Sequence, residues 1–199
     1  MRWDKLFEDL ESQLEQELTA EELDLEAEEE LLRLGRLSLR DRFVALGGIP
    51  GAQTSGPFGI TLASGVRLTV RMVNCGRDWF SADLIDDSPR NVQCIVPMAA
   101  LSGISLTRAQ VASSLAPADE SAAEPLSARL SLSFVLRDLC RRRTPVDLAL
   151  TTGDYHGTID RVGRDHIDVA LHERGRSRRD PEVREFRTIP LAAVLLIRL

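Results

Sequence analysis

Between Arg67 and Met72 apolar and polar side chains alternate without a break: Leu68, Val70 and Met72 against Arg67, Thr69 and Arg71. Period-two alternation marks a strand with one buried face. On that basis strands are expected near 59–63, 66–74, 78–85 and 91–97, with Asp86-Asp87-Ser88-Pro89 turning the chain before the fourth. A second run follows, with strands expected near 146–151, 155–162, 165–173, 184–190 and 194–199. No residue limits for a fifth strand of the first run follow from alternation. Helical spacing occupies the rest. Residues 2–34 contain neither Gly nor Pro, and Trp3, Phe7, Leu10 and Leu14 form one apolar stripe. Leu18, Leu25, Leu32 and Leu39 then recur every seven residues, a coiled-coil seam only half filled because its other positions are mostly Glu. Thr19-Ala20-Glu21-Glu22 reads as a capping box, so a second helix can begin there after a bend. Gly35 is a candidate end of that region, and Gly47-Gly48 of a short helix from Leu39 to Leu46. A further helix is expected from Ser127 to Arg143, with Leu130, Phe134, Leu136 and Leu139 on its apolar side.

The two strand-rich stretches share an order of features. Leu62 aligns with Leu150 and Gly65 with Gly153; one residue of slippage later, Gly76-Arg77-Asp78 falls on Gly163-Arg164-Asp165. Val96-Pro97-Met98-Ala99-Ala100 then matches Ile189-Pro190-Leu191-Ala192-Ala193. This pattern predicts a duplicated small domain. The fold expected is mainly β with helices: two tandem five-stranded barrels, each preceded by a helix, behind an acidic amphipathic helix or coiled coil. Closure of each barrel would remove exposed strand edges. The expected limits are 1–37 for the acidic segment, 38–104 for the first barrel, 105–125 for an Ala/Ser/Pro-rich linker with a helix in part of it (Thr107 to Leu115), and 126–199 for the second barrel. The repeated Gly-Arg-Asp reads as a structural turn, Gly supplying a positive φ and Asp capping the turn.

Charge refines this picture. The net charge is −6, but residues 1–41 carry 14 acids and 5 bases while residues 125–199 carry 14 Arg against 10 acids. The acidic helix is either a solvated helix lying on its own barrel or one that oligomerises or docks a partner; the sequence leaves both open. Lys5 is the sole lysine, so the arginines reflect codon usage as readily as recognition. A tentative nucleic-acid set is Arg141, Arg142, Arg143, Arg174, Arg176, Arg178, Arg179 and Arg184, since the guanidinium fork matches phosphate. The competing reading is a solvated loop. Aromatic partners for stacked bases are few, Trp79 and Tyr155, and Trp79 reads better as a barrel-closing side chain.

No apolar run reaches the ~18 residues a membrane span needs, and the acidic N-terminus has no secretory pattern, so a cytoplasmic protein is expected. Cys75, Cys94 and Cys140 form no CxxC pair and read as reduced, mostly buried thiols. A surface zinc site drawn from His156, Asp160, His166, Asp168 and His172 lacks a metal-binding spacing. No nucleophile–base–orienter set and no phosphate-binding glycine loop is present, so neither an enzyme nor a bound cofactor or metal is expected.

Leu148, Leu150, Gly153, Gly157, Ile159, Asp165, Ile167, Val169 and Leu171, behind a helix, carry a pattern that resembles the Sm-like family, which includes the RNA chaperone Hfq. The resemblance covers roughly 55 residues in each copy and implies a small barrel that assembles into rings. Members that bind uridine-rich RNA place Asn on the third strand, where this chain has Asp168 and Ser81. The family's Arg-Gly pair is replaced by Arg187-Thr188 and Cys94-Ile95, and the Lys-His pair of Hfq by Pro190-Leu191 and Pro97-Met98. A carboxylate in place of the amide repels phosphate, so the resemblance carries the fold and not the RNA pocket. Two function classes follow: a non-catalytic scaffold that self-assembles through its barrels and N-terminal helix, or an RNA-binding regulator using the arginine loop.

Overall fold

The structure is a computed structural model that describes Leu14 and residues 22–47, 56–85, 92–117, 126–175 and 183–199. The chain divides into two compact units, Met1–Ser38 and Leu39–Leu199. In the first, residues 22–36 form helix α1. Gly35 lies inside this helix and does not end it; the Leu37 amide donates to the Leu34 carbonyl one turn later. Glu30 and Arg33 form a two-pronged ion pair at 2.6 Å, the i, i+3 pairing that supports an exposed helix. Leu23, Leu25, Leu31 and Leu32 are exposed. The Trp3, Phe7 and Leu10 stripe, Leu18 of the seam and the Thr19 capping box lie outside the described residues. No helix among the described residues is long and apolar enough to cross a membrane.

Among the described residues the second unit contains ten strands and three α-helices. Helix α2 is Leu39–Ala45; strands β1 to β5 are Phe58–Leu62, Arg67–Cys75, Trp79–Leu84, Val92–Pro97 and Leu101–Ser105. Helix α3 is Arg108–Leu115 and α4 is Leu132–Arg142; strands β6 to β10 are Pro145–Leu150, Gly153–Val162, His166–Leu171, Glu185–Pro190 and Val194–Arg198. All nine expected strands begin and end within two residues of their expected limits. Strand β5 was not placed by alternation, since LSGIS has no strong apolar–polar contrast. The expected linker 105–125 is in part ordered structure: α3 begins at a capping box in which Thr107 and Gln110 satisfy each other's backbone amides. Gln110 is buried and donates from Nε2 to the Pro57 carbonyl at 3.0 Å, and buried Ser114 accepts from Arg42 at 3.0 Å. Residues 118–125 lie outside the described residues. The helix expected from Ser127 to Arg143 is interrupted: a 3-10 turn covers Leu126–Arg129 and α4 starts after Ser131. Leu132, Leu136 and Leu139 face its core side, while Phe134 points outward, 53 % exposed.

All ten strands belong to one antiparallel sheet, ordered β5-β1-β2-β3-β4-β10-β6-β7-β8-β9. Each run of five has the same order, with its fifth strand beside its first. The correspondence extends to irregularities. The β2–β3 register shifts between Met72 and Asn74, the β7–β8 register between Ile159 and Arg161. The β1–β5 register shifts at Thr61/Leu62, the β10–β6 register between Val194 and Leu196. The slippage between copies lies in the first hairpin, because the Leu62 amide donates to the Val66 carbonyl while Leu150 pairs with Gly153. Gly65 therefore has no counterpart in Gly153.

The seam between the two runs is β4 against β10, with Ile95 opposite Ile197 and Cys94 opposite Arg198, and with the Leu199 amide donating to Gln93 at 2.9 Å. Two apolar clusters lie on this sheet. One gathers Phe43, Phe58, Val70 and Phe80; the other gathers Leu136, Leu148, Ile159 and Ile167. Strand β10 feeds both, Leu195 and Leu196 into the first and Val194 and Ile197 into the second. Trp79 and Ile95, from the first run, pack in the second cluster. Cys75 and Cys94 are buried, which pushes both thiols up to about 11; Cys140 is half-buried, its thiol 3.2 Å from the Asp160 carbonyl.

Candidate functional site

The two Gly-Arg-Asp turns share their backbone hydrogen bond and their need for glycine, for a reason other than positive φ, which neither Gly76 nor Gly163 has. Gly76 donates to the Trp79 carbonyl and Gly163 to the His166 carbonyl, each at 2.8 Å. A Cβ on Gly76 would stand 2.2 Å from Trp79 Nε1, and one on Gly163 2.5 Å from His166 Cε1. The glycines are required because a ring folds back over them. Asp78 does not cap its own turn either: Oδ1 accepts from the Leu132 amide at 2.7 Å, the first residue of α4. Asp165 instead holds His166 Nδ1 at 2.8 Å. Trp79 is buried, and Nε1 donates to Leu130 at 3.0 Å, with the Arg77 amide donating to the same carbonyl. The first turn thus anchors the start of the second run's helix. Replacing Asp78 by Ala removes a helix N-cap and is expected to cost about 1 kcal/mol, Asn retaining most of it. Urea unfolding checks this; equal midpoints for Ala and wild type would refute the anchoring role.

The arginine set is dispersed into ion pairs. At the C-terminal end of α4, Arg141 and Arg142 share Asp138 at 2.6 and 2.7 Å, and Arg143 lies 3.5 Å from Asp160. The hydrogen bond from Arg141 is the main influence holding the Asp138 carboxyl below its ordinary range. Arg174 meets Asp147 at 3.1 Å and Arg184 pairs with Glu173. Every described member of the set thus has a carboxylate partner; Arg176, Arg178 and Arg179 lie outside the described residues.

Asp147 belongs to a polar cluster at the base of the arginine loop. Burial raises its carboxyl, but hydrogen bonds from His156 at 2.7 Å and from Arg174 outweigh that and leave it lowered. His156 meets His172 edge-on, ring centroids 5.1 Å apart. His172 is buried; Nδ1 donates to the Glu173 carbonyl at 3.1 Å, so Nε2 accepts from the Thr158 hydroxyl at 2.9 Å. Thr158 is buried as well. His172 therefore does not share an outward face with His166 and Asp168, and Asp168 is taken up by Thr188 at 2.6 Å. Among the described residues no group of three His, Cys, Asp or Glu could hold a metal ion.

The other feature able to engage a partner is backbone. Strand β5 ends the sheet on one side and β9 on the other, each with a row of backbone groups turned away from its single neighbour. Alternation did not place β5, but the repeat did carry a signal: Leu101 to Ser105 follow Pro97 to Ala100 as Val194 to Arg198 follow Pro190 to Ala193. No protein-family model, curated protein or solved structure matches this chain.

Proposed function

We propose that this protein is a non-catalytic scaffold of two Sm-like barrels in tandem, which assembles with further copies through its sheet edges and its N-terminal helix. The observation that carries this reading is the seam: edge-to-edge pairing of one run with the other is already built into the chain, and β5 leaves a further strand edge at the end of the sheet. The common strand order and the matching register shifts support a duplicated unit of about 55 residues. Exposed leucines along α1 support a helix that contributes to assembly. Light scattering on the intact chain and on a chain lacking residues 1–37 tests it. A multiple of the chain mass is expected for the intact protein, with a smaller multiple after the deletion. A monomer at every concentration refutes the scaffold. The alternative, RNA binding through the arginine set, weighs less because each described member already has a carboxylate partner in Asp138, Asp147, Asp160 or Glu173.

A further inference from the structure

We infer that two copies of this chain join through β5, antiparallel and edge to edge about a two-fold axis near Gly103; this rests on the assembly reading above and names its interface. Strand β5 pairs only with β1 among the described residues. Its sequence, LSGIS, holds no charge and no proline, two of the features that blunt an edge against a further strand; its one irregularity is the register shift against β1 at Thr61/Leu62. A Cβ on Gly103 would meet nothing within 4 Å, so the face of the sheet is open there and a side chain can be placed on it. Its free backbone groups follow from β10. The Leu199 amide donates to β4, so Ile197, two residues away, also faces β4. Ile104 and Leu106 hold the same places in β5 and turn their amides outward.

Strand β9, at the opposite end, is unlike β5. Glu185, Arg187 and Pro190 lie along it. Arg187 takes the place that buried Cys94 has in β4, opposite Val169 as Cys94 is opposite Ala82. Its guanidinium lies 4.4 Å over the Tyr155 ring, and Glu185 grips it at 2.9 and 3.0 Å. A strand laid on β9 as β10 is laid on β4 would bury this ion pair, and burying paired charges costs more than it returns unless every hydrogen bond is kept. Head-to-tail repetition of the seam is therefore blocked at β9. A neutral β5 pairs with its own counterpart with no charge to match. Such pairing sets Gly103 opposite Gly103, Ser102 opposite Ile104 and Leu101 opposite Ser105, and covers the half-buried Leu101 and Ile104. A two-fold contact of this kind closes on itself.

Full-length Gly103→Lys and Gly103→Glu each place like charges across the axis. Each is expected to halve the mass seen by light scattering, and mixing the two is expected to restore it. Thr188→Lys on β9 should leave the mass unchanged. A full-length Gly103→Cys chain should form a disulfide-linked dimer on mild oxidation, since directly opposed residues of a non-hydrogen-bonded pair lie about 4.5 Å apart; this readout serves even where the charged variants fold poorly. An oligomer unaffected by both Gly103 charges and giving no crosslink overturns the β5 interface but leaves the scaffold standing. Loss of mass with Thr188→Lys as well as with Gly103→Lys overturns it in favour of head-to-tail pairing of β5 on β9, and loss with Thr188→Lys alone overturns it in favour of a contact through β9. A monomeric wild type overturns both readings.

Discussion

Phe80→Ala is expected to cost about 3–5 kcal/mol, the range for removing a buried aromatic ring from a packed core. Phe80 is fully buried, with its ring centroid 4.9 Å from that of Phe43 on α2, which in turn lies 5.9 Å from Phe58 on β1. The three rings tie the helix to the sheet, and tilted aromatic pairs of this kind add roughly 0.5–1.5 kcal/mol beyond area burial. Phe80→Leu keeps most of the volume and should cost less than about 1.5 kcal/mol. Because β10 feeds both apolar clusters, loss of the first cluster should loosen the second. Denaturant unfolding is thus expected to show one transition for residues 39–199, shifted to lower concentration. Two separated transitions, or a cost under about 1 kcal/mol for Ala, would show that the rings do not bind the unit together.

Gly157→Ala is expected to destabilise by about 3 kcal/mol, although it adds one methyl group. That Cβ would stand 2.4 Å from the backbone oxygen of Ala170 and 3.0 Å from Val169 Cγ1. A backbone oxygen in a strand cannot swing aside as a flexible side-chain end can, so β7 and β8 would have to part at Gly157↔Leu171 and Thr158↔Ala170. His172, which accepts from Thr158, would move with them and disturb the base of the arginine loop. Thermal unfolding checks this; a shift no larger than that of an ordinary surface substitution, about 0.5 kcal/mol, would show that the close approach at Gly157 is not a constraint.

Strands with one buried face were legible because alternation survives in sequence: Leu68, Val70 and Met72, or Ile167 and Val169, announce themselves. Strand β5 was not, because Ser102, Gly103 and Ser105 have no contrast to offer, and the equivalence with Val194 to Arg198 had to supply it. The positive φ expected of the glycines in the Gly-Arg-Asp turns is absent at both Gly76 and Gly163. A ring folding back over a glycine depends on the rotamer of Trp79 or His166, which no spacing encodes. The arginines can be counted along the chain, whereas the pairing of Arg143, Arg174 and Arg184 with Asp160, Asp147 and Glu173 exists only in the folded protein. The seam is hidden for the same reason: Ile95 and Ile197 are each plain strand residues, and nothing local says they face each other.

That seam sets an order of events during synthesis. Strand β4 leaves the ribosome about a hundred residues before the strand that covers it, so its edge and part of the first apolar cluster remain uncovered until residues 194–199 are available. Contacts so distant along the chain close late and slowly, and an uncovered strand edge in that interval invites pairing with a neighbouring nascent chain. The first half of this protein is thus expected to depend, while it waits, on whatever shields exposed strands in the cell.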